Sequence, residues 1–150
     1  MSQIPQDFSV KYRWCEGTIP PPHYYEFSIV IGPGNTGVIT IYPDYPQHDP
    51  PVRVEQFTVS NEALSELYTL MIKRRLFRQA WTEIQDAPVG GSLEWLHTIA
   101  AGVEHAIPIL IEEVEEVQQI YKLIRSLVPE GIWSALMARR EAFERDYPDE

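Results

Sequence analysis

The chain has a single cysteine, Cys15, among 150 residues, which excludes an intramolecular disulfide and a cysteine-rich zinc cage. It has no apolar stretch of about 18 residues, the length a membrane helix needs. The longest uncharged apolar run, Ala106 to Ile111, is broken by Pro108. Met1 to Asp7 hold no positive segment followed by an apolar one, so no secretory leader is expected and the expected compartment is the cytoplasm. Basic residues are few: 12 Lys and Arg against 22 Asp and Glu give a formal charge of −10. That charge repels a phosphate backbone and an anionic membrane surface, so neither nucleic acid nor a membrane is an expected partner.

What is present is ordinary globular composition, 44% hydrophobic and 23% charged. A chain of this length buries roughly 68–70% of the surface its unfolded form exposes. One α+β domain over residues 1–150 is expected, with a core from about 8 to 145. In the first half, apolar and aromatic residues alternate with polar ones between clusters of Pro and Gly, which predicts strands. Phe8, Val10, Tyr12 and Trp14 mark the first. Tyr24 to Ile31 is the second, with Tyr25, Phe27, Ile29 and Ile31 on one face and Tyr24, Glu26 and Ser28 on the other. Gly32 to Gly37 reverses the chain into Val38 to Tyr42, and a Pro-rich loop leads to a fourth strand, Val52 to Val59. The product is an antiparallel meander.

Ser60 then caps a helix predicted to run to about Leu76, with Glu62 in its first turn and an apolar stripe of Leu64, Leu67, Tyr68 and Met71. After a weak region around Pro88 to Gly91, Leu93 to Ile99 and Glu104 to Ile107 predict a second hairpin. A three-residue turn at Ala101-Gly102-Val103 would place Leu93, Trp95, Ile99 and Ile107 on the core face. Ile109 to Val128 repeats apolar residues at steps of four and three, Pro129 breaks the pattern, and Glu130 to about Arg145 forms the last helix. The fold class expected is α+β: an antiparallel sheet of five to six strands, built from meander, helix and hairpin, with two or three helices on one face.

Gly90-Gly91-Ser92 before the second hairpin, and Val128-Pro129-Glu130-Gly131-Ile132-Trp133 between the last helices, resemble a family of small bacterial α+β domains, frequent in cyanobacteria, of unknown function. The resemblance spans roughly Tyr12 to Phe143. It implies the fold and, since that family has no known chemistry, no active site.

Each candidate site has a plain structural reading beside it. Gly32 to Gly37 is glycine-dense enough to cradle phosphate, yet a strand follows instead of a helix, and no lysine is in place. Cys15 with His23 could form a nucleophile and base, although a lone cysteine at a strand end is ordinarily a small hydrophobe. His97 and His105 would share a face under a three-residue turn but lie on opposite faces under a two-residue one. Glu112, Glu113, Glu115 and Glu116 fan around a helix and suit its dipole better than a cation. Lys73, Arg74, Arg75 and Arg78 are the basic cluster, a candidate for docking an anion or acidic partner. Trp14, His23, Tyr24, Tyr25, Tyr42 and Tyr45 supply a candidate aromatic binding surface.

No catalytic set, metal site or cofactor is predicted. The leading expectation is a non-enzymatic protein-interaction or ligand-binding module, self-associating through an uncovered sheet face, a sheet edge or the long helix as a homodimer. The alternative is a small-molecule binder or hydrolytic enzyme with a pocket between sheet and helices, using His23, His97 or Cys15.

Overall fold

Period-two alternation produces six strands: β1 (Ser9–Cys15), β2 (Glu26–Ile31), β3 (Thr36–Tyr42), β4 (Arg53–Thr58), β5 (Leu93–Ala100) and β6 (Val103–Ile107). The computed structural model describes residues 4–17, 20–74, 76, 92–108 and 114–147. The strands form one sheet in the order β4-β3-β2-β1-β5-β6, every neighbouring pair antiparallel. The expected meander and the expected hairpin are therefore one layer, joined where β5 lies beside β1.

One face carries the core. Val10 and Tyr12 of β1, Phe27, Ile29 and Ile31 of β2, Ile39 and Ile41 of β3, Phe57 of β4 and Leu96 of β5 are all buried. Full burial of each such side chain contributes roughly 1.5–3 kcal/mol, which is why the pattern fixes the face so firmly. Gly37 sits opposite Phe57 in the register, and a Cβ there would fall 2.3 Å from the Phe57 ring. The glycine is what lets that ring lie over the strand. Gly32 has φ +78, a left-handed conformation that only glycine adopts freely, and a Cβ would meet the Phe8 carbonyl oxygen at 2.5 Å.

Three helices cover this face: α1 (Asn61–Lys73), α2 (Glu115–Ser126) and α3 (Glu130–Asp146). Each sets one aromatic ring against the sheet side: Tyr68 on Phe8 at 5.0 Å, Tyr121 on Tyr12 at 4.9 Å, and Trp133 on Phe27 at 5.1 Å between centroids. The Ser60 hydroxyl accepts the Ala63 N–H at 3.1 Å, as the capping pattern predicts. α1 ends at Lys73, three residues short of the expected Leu76, although Leu76 is still buried. At the break, the Pro129 carbonyl accepts from the Ile132 and Trp133 N–H groups and starts α3. The expected helical stretch 109–113 lies outside the described residues, and α2 opens at Glu115. No described helix is long and apolar enough to cross a membrane.

The turn of the second hairpin differs from expectation by one residue, which inverts the faces of β5 while Ile107 of β6 faces inward as expected. The turn is the pair Ala101-Gly102, with φ of 53 and 76, and Ala100 pairs directly with Val103. The Asp7 carboxylate accepts both turn N–H groups, from Ala101 at 2.8 Å and Gly102 at 2.7 Å, which holds the tight geometry. Leu96, Thr98, Ala100 and Ile107 consequently face inward. Leu93, Trp95 and Ile99, expected in the core, lie on the opposite face and are half-buried.

Candidate functional site

A cleft of about 400 Å³ opens where α3 crosses the ends of β3 and β4. Its apolar wall comes from Ile41, Pro43 and Pro51 on the sheet side and from Leu136, Ala142 and Phe143 on α3. The Pro-rich loop between β3 and β4 has few N–H groups to pair, so it runs past the helix without extending the sheet and leaves the space. Three arginines, Arg53, Arg139 and Arg140, stand along it, with Asp146 the one acidic residue among the described residues that line it. Arg140 is committed: its guanidinium lies 4.1 Å above the Tyr25 ring, 3.1 Å from Glu144, and donates to the His23 carbonyl at 3.3 Å. Arg53 and Arg139 are exposed and make no ion pair among the described residues.

The six aromatic candidates do not make one surface. Trp14 stacks on Phe27 at 5.2 Å and meets Tyr25 at 4.9 Å, on the helix side of the sheet. His23 places Nδ1 3.3 Å from Glu144 of α3. Tyr25 and His23 reach the cleft through Arg140, and Trp14 only through Tyr25. Tyr24, on the other side as alternation predicts, is buried, its ring stacked on Tyr45 at 3.7 Å. Tyr45 meets His48 edge-on at 5.7 Å, and the buried Asp44 carboxylate accepts the Tyr45 N–H at 2.7 Å and lies 3.1 Å from His48 Nδ1. Tyr42 pairs across the ladder with Glu26, a buried carboxylate held by Arg13 at 2.9 Å. Burial pushes the Cys15 thiol up, so it stays protonated at neutral pH and is a poor nucleophile.

Of the basic cluster, Lys73 and Arg74 end α1, the Arg74 N–H closing the last turn on the Leu70 carbonyl at 2.9 Å. Arg75 and Arg78 lie outside the described residues, as do Glu112 and Glu113. The two-residue turn puts His97 opposite Ala106 and His105 opposite Thr98, hence on opposite faces. His97 lies 3.6 Å from Glu104, and no metal-ligating group of side chains is found among the described residues. Of Gly32 to Gly37, residues 32–35 make the hairpin turn, closed by the Gly32 N–H on the Thr36 carbonyl at 2.9 Å, and Thr36 and Gly37 already belong to β3.

One polar constellation escaped the sequence. Glu94 Oε2 accepts the Tyr12 hydroxyl and the Arg125 guanidinium at 2.7 Å, while Oε1 accepts Gln118 at 2.9 Å. Arg125 Nε also donates to the Tyr12 hydroxyl at 2.9 Å, and the Arg125 carbonyl accepts the Trp133 indole N–H at 3.0 Å. Burial, reinforced by the bond to Glu94, drives the Tyr12 hydroxyl far above its ordinary range. The network ties α2 and α3 to β1 and β5. Its only sequence signal was a charge at each end of apolar segments, Glu94 between Leu93 and Trp95 and Arg125 after Ile124, and the inverted hairpin parity hid the first.

No protein-family model matches the chain, and no curated protein matches it. The cleft offers an apolar body about the size of a small ligand, with cations at its rim. None of Cys15, His23 and His97 lines it.

Proposed function

We propose that the chain is a non-enzymatic binding module of the cytoplasm whose cleft beside α3 takes an anionic ligand with an apolar body. The observation that carries this is the pairing of an apolar wall with Arg139, exposed at the rim and without an ion partner among the described residues. In a chain of net charge −10 most of the surface repels anions, so a local cation gives both affinity and selectivity for one place. The apolar wall supplies the larger share, at about 25 cal/mol for each Å² it removes from water. A hydrolytic reading through Cys15, His23 or His97 has no support from the cleft, since none of the three lines it.

Calorimetric titration with octanoate, octan-1-ol and octylamine tests the reading. Octanoate should bind most tightly, and Arg139→Glu should weaken it about ten-fold, a cost in the range of a partly exposed charge-assisted contact. Phe143→Ala should weaken octanoate and octanol alike. Equal binding of the alcohol and the carboxylate, or octanoate affinity indifferent to both substitutions, would remove the proposal.

A further inference from the structure

β4 is an edge of the sheet, and its solvent side has a specific pattern. The strand is exposed at Arg53, Val54, Glu55 and Gln56, with Val54 at 56% and the preceding Val52 at 40%. In the ladder to β3, Asn35 stands opposite Val59 and its carbonyl accepts the Val59 N–H at 2.8 Å, which makes that a directly hydrogen-bonded pair. Bonded pairs recur every second residue, so Arg53, Glu55 and Phe57 point their backbone groups at β3. The N–H and C=O groups of Val52, Val54 and Gln56 therefore point away from the sheet, unpaired among the described residues. An edge of this kind is a template for another strand.

The side chains select which strand. Suppose a second copy pairs antiparallel about a two-fold axis through Val54. The backbone groups of Val54 then bond those of Val54 of the partner subunit, and those of Val52 bond those of Gln56 of the partner subunit, which uses the outward-pointing groups. In that register Arg53 stands directly opposite Glu55 of the partner subunit, and Glu55 opposite Arg53 of the partner subunit. Moving the axis to Glu55 would set glutamate against glutamate, and moving it to Arg53 would set arginine against arginine, both unfavourable. Neither Arg53 nor Glu55 makes an ion pair among the described residues. Charges on an edge strand commonly guard it against pairing; here their opposite signs two residues apart make the guard self-complementary. Pro50 and Pro51 have no N–H to donate, so they end the ladder just before Val52 and limit its length.

We propose that the chain forms a two-fold homodimer through β4, joining two six-stranded sheets edge to edge in the register that centres on Val54. The axis stands perpendicular to the joined sheet, so the helices of both copies lie on the same side. Arg53 also lines the cleft beside α3, and dimerisation places Glu55 of the partner subunit at that rim, leaving Arg139 as the cation for a ligand. The dimer does not depend on what the cleft binds. A strand pair this short buries less than the roughly 1,200 Å² of a standard interface, so the association is weak, on the order of 10–100 µM.

Sedimentation velocity of the full chain across that concentration range is the test, with circular dichroism to confirm folding. The chain should pass from monomer to dimer. Arg53→Glu and Glu55→Arg should each weaken dimerisation about ten-fold, since each turns two attractive cross-strand pairs into repulsive ones. An equimolar mixture of the two variants should restore it, because every facing pair is again of opposite sign. Val54→Pro removes only an outward N–H and should give a folded monomer. A strict monomer throughout, a dimer indifferent to both charge reversals, or a mixture no tighter than its parts would each overturn the proposal.

Discussion

The Tyr12–Glu94–Arg125 network and its neighbour Tyr121 show how differently two buried hydroxyls contribute. Tyr12 donates to a carboxylate and accepts from a guanidinium. Tyr121, packed 4.9 Å away, has a buried hydroxyl with no hydrogen-bond partner among the described residues. Leaving a buried polar group unpaired costs roughly 1–3 kcal/mol, so Tyr121→Phe should be neutral or stabilising by up to about 1 kcal/mol in urea unfolding. Glu94→Ala, by contrast, strands both Tyr12 and Arg125. The Arg125 side chain keeps 39% exposure, so solvent screens part of the loss, and a destabilisation of about 1–3 kcal/mol is expected. A large loss on Tyr121→Phe would mean that its hydroxyl is satisfied after all.

At the scale of elements, the β5–β6 turn decides more than its two residues suggest. Ala101 holds φ 53, where a Cβ is strained by roughly 1–2 kcal/mol, while Asn is the favoured first residue of such a turn. Ala101→Asn should therefore stabilise the chain by about 0.5–1 kcal/mol, read from thermal or urea unfolding; a loss would contradict the left-handed pair. Most elements were legible from residues alone. Ser60, Pro129 and Gly32 each make a bond to a neighbour three or four positions away, and local chemistry shows in sequence. The faces of β6 were legible, with Ile107 inward and Glu104 outward, but those of β5 were not, because one residue of turn length reverses one strand against the other and the deciding contact is Asp7, far away in the chain.

The whole molecule makes its own prediction about pH. Burial raises the hydroxyls of Tyr12, Tyr24 and Tyr121 above their ordinary value near 10. A group titrating higher folded than unfolded supports the fold fully below its unfolded value and loses that support as pH rises through the folded one. Urea stability should hold steady from pH 7 to 9 and fall above about 10. The Tyr12→Phe/Tyr121→Phe double variant should fall less steeply, whatever its starting stability; an identical slope would show that other groups set the alkaline limit. The cleft and the β4 edge belong to this scale as well. Leu136, Phe143 and Arg139 sit on a helix whose pattern gives its apolar stripe, but nothing in that pattern says that Pro43 and Pro51 stand across from it.

The sequence by itself determined the α+β class, an antiparallel sheet of five to six strands with two or three helices, and the alternation that buries one face of the meander, because periodicity and capping are local and apolar burial is strong enough to enforce them. The tertiary structure alone decided the parity of the second hairpin, the Glu94 network, and the cleft beside α3. Each of these depends on which distant backbone lies opposite, a matter of register and loop path that the order of residue types along one strand leaves open.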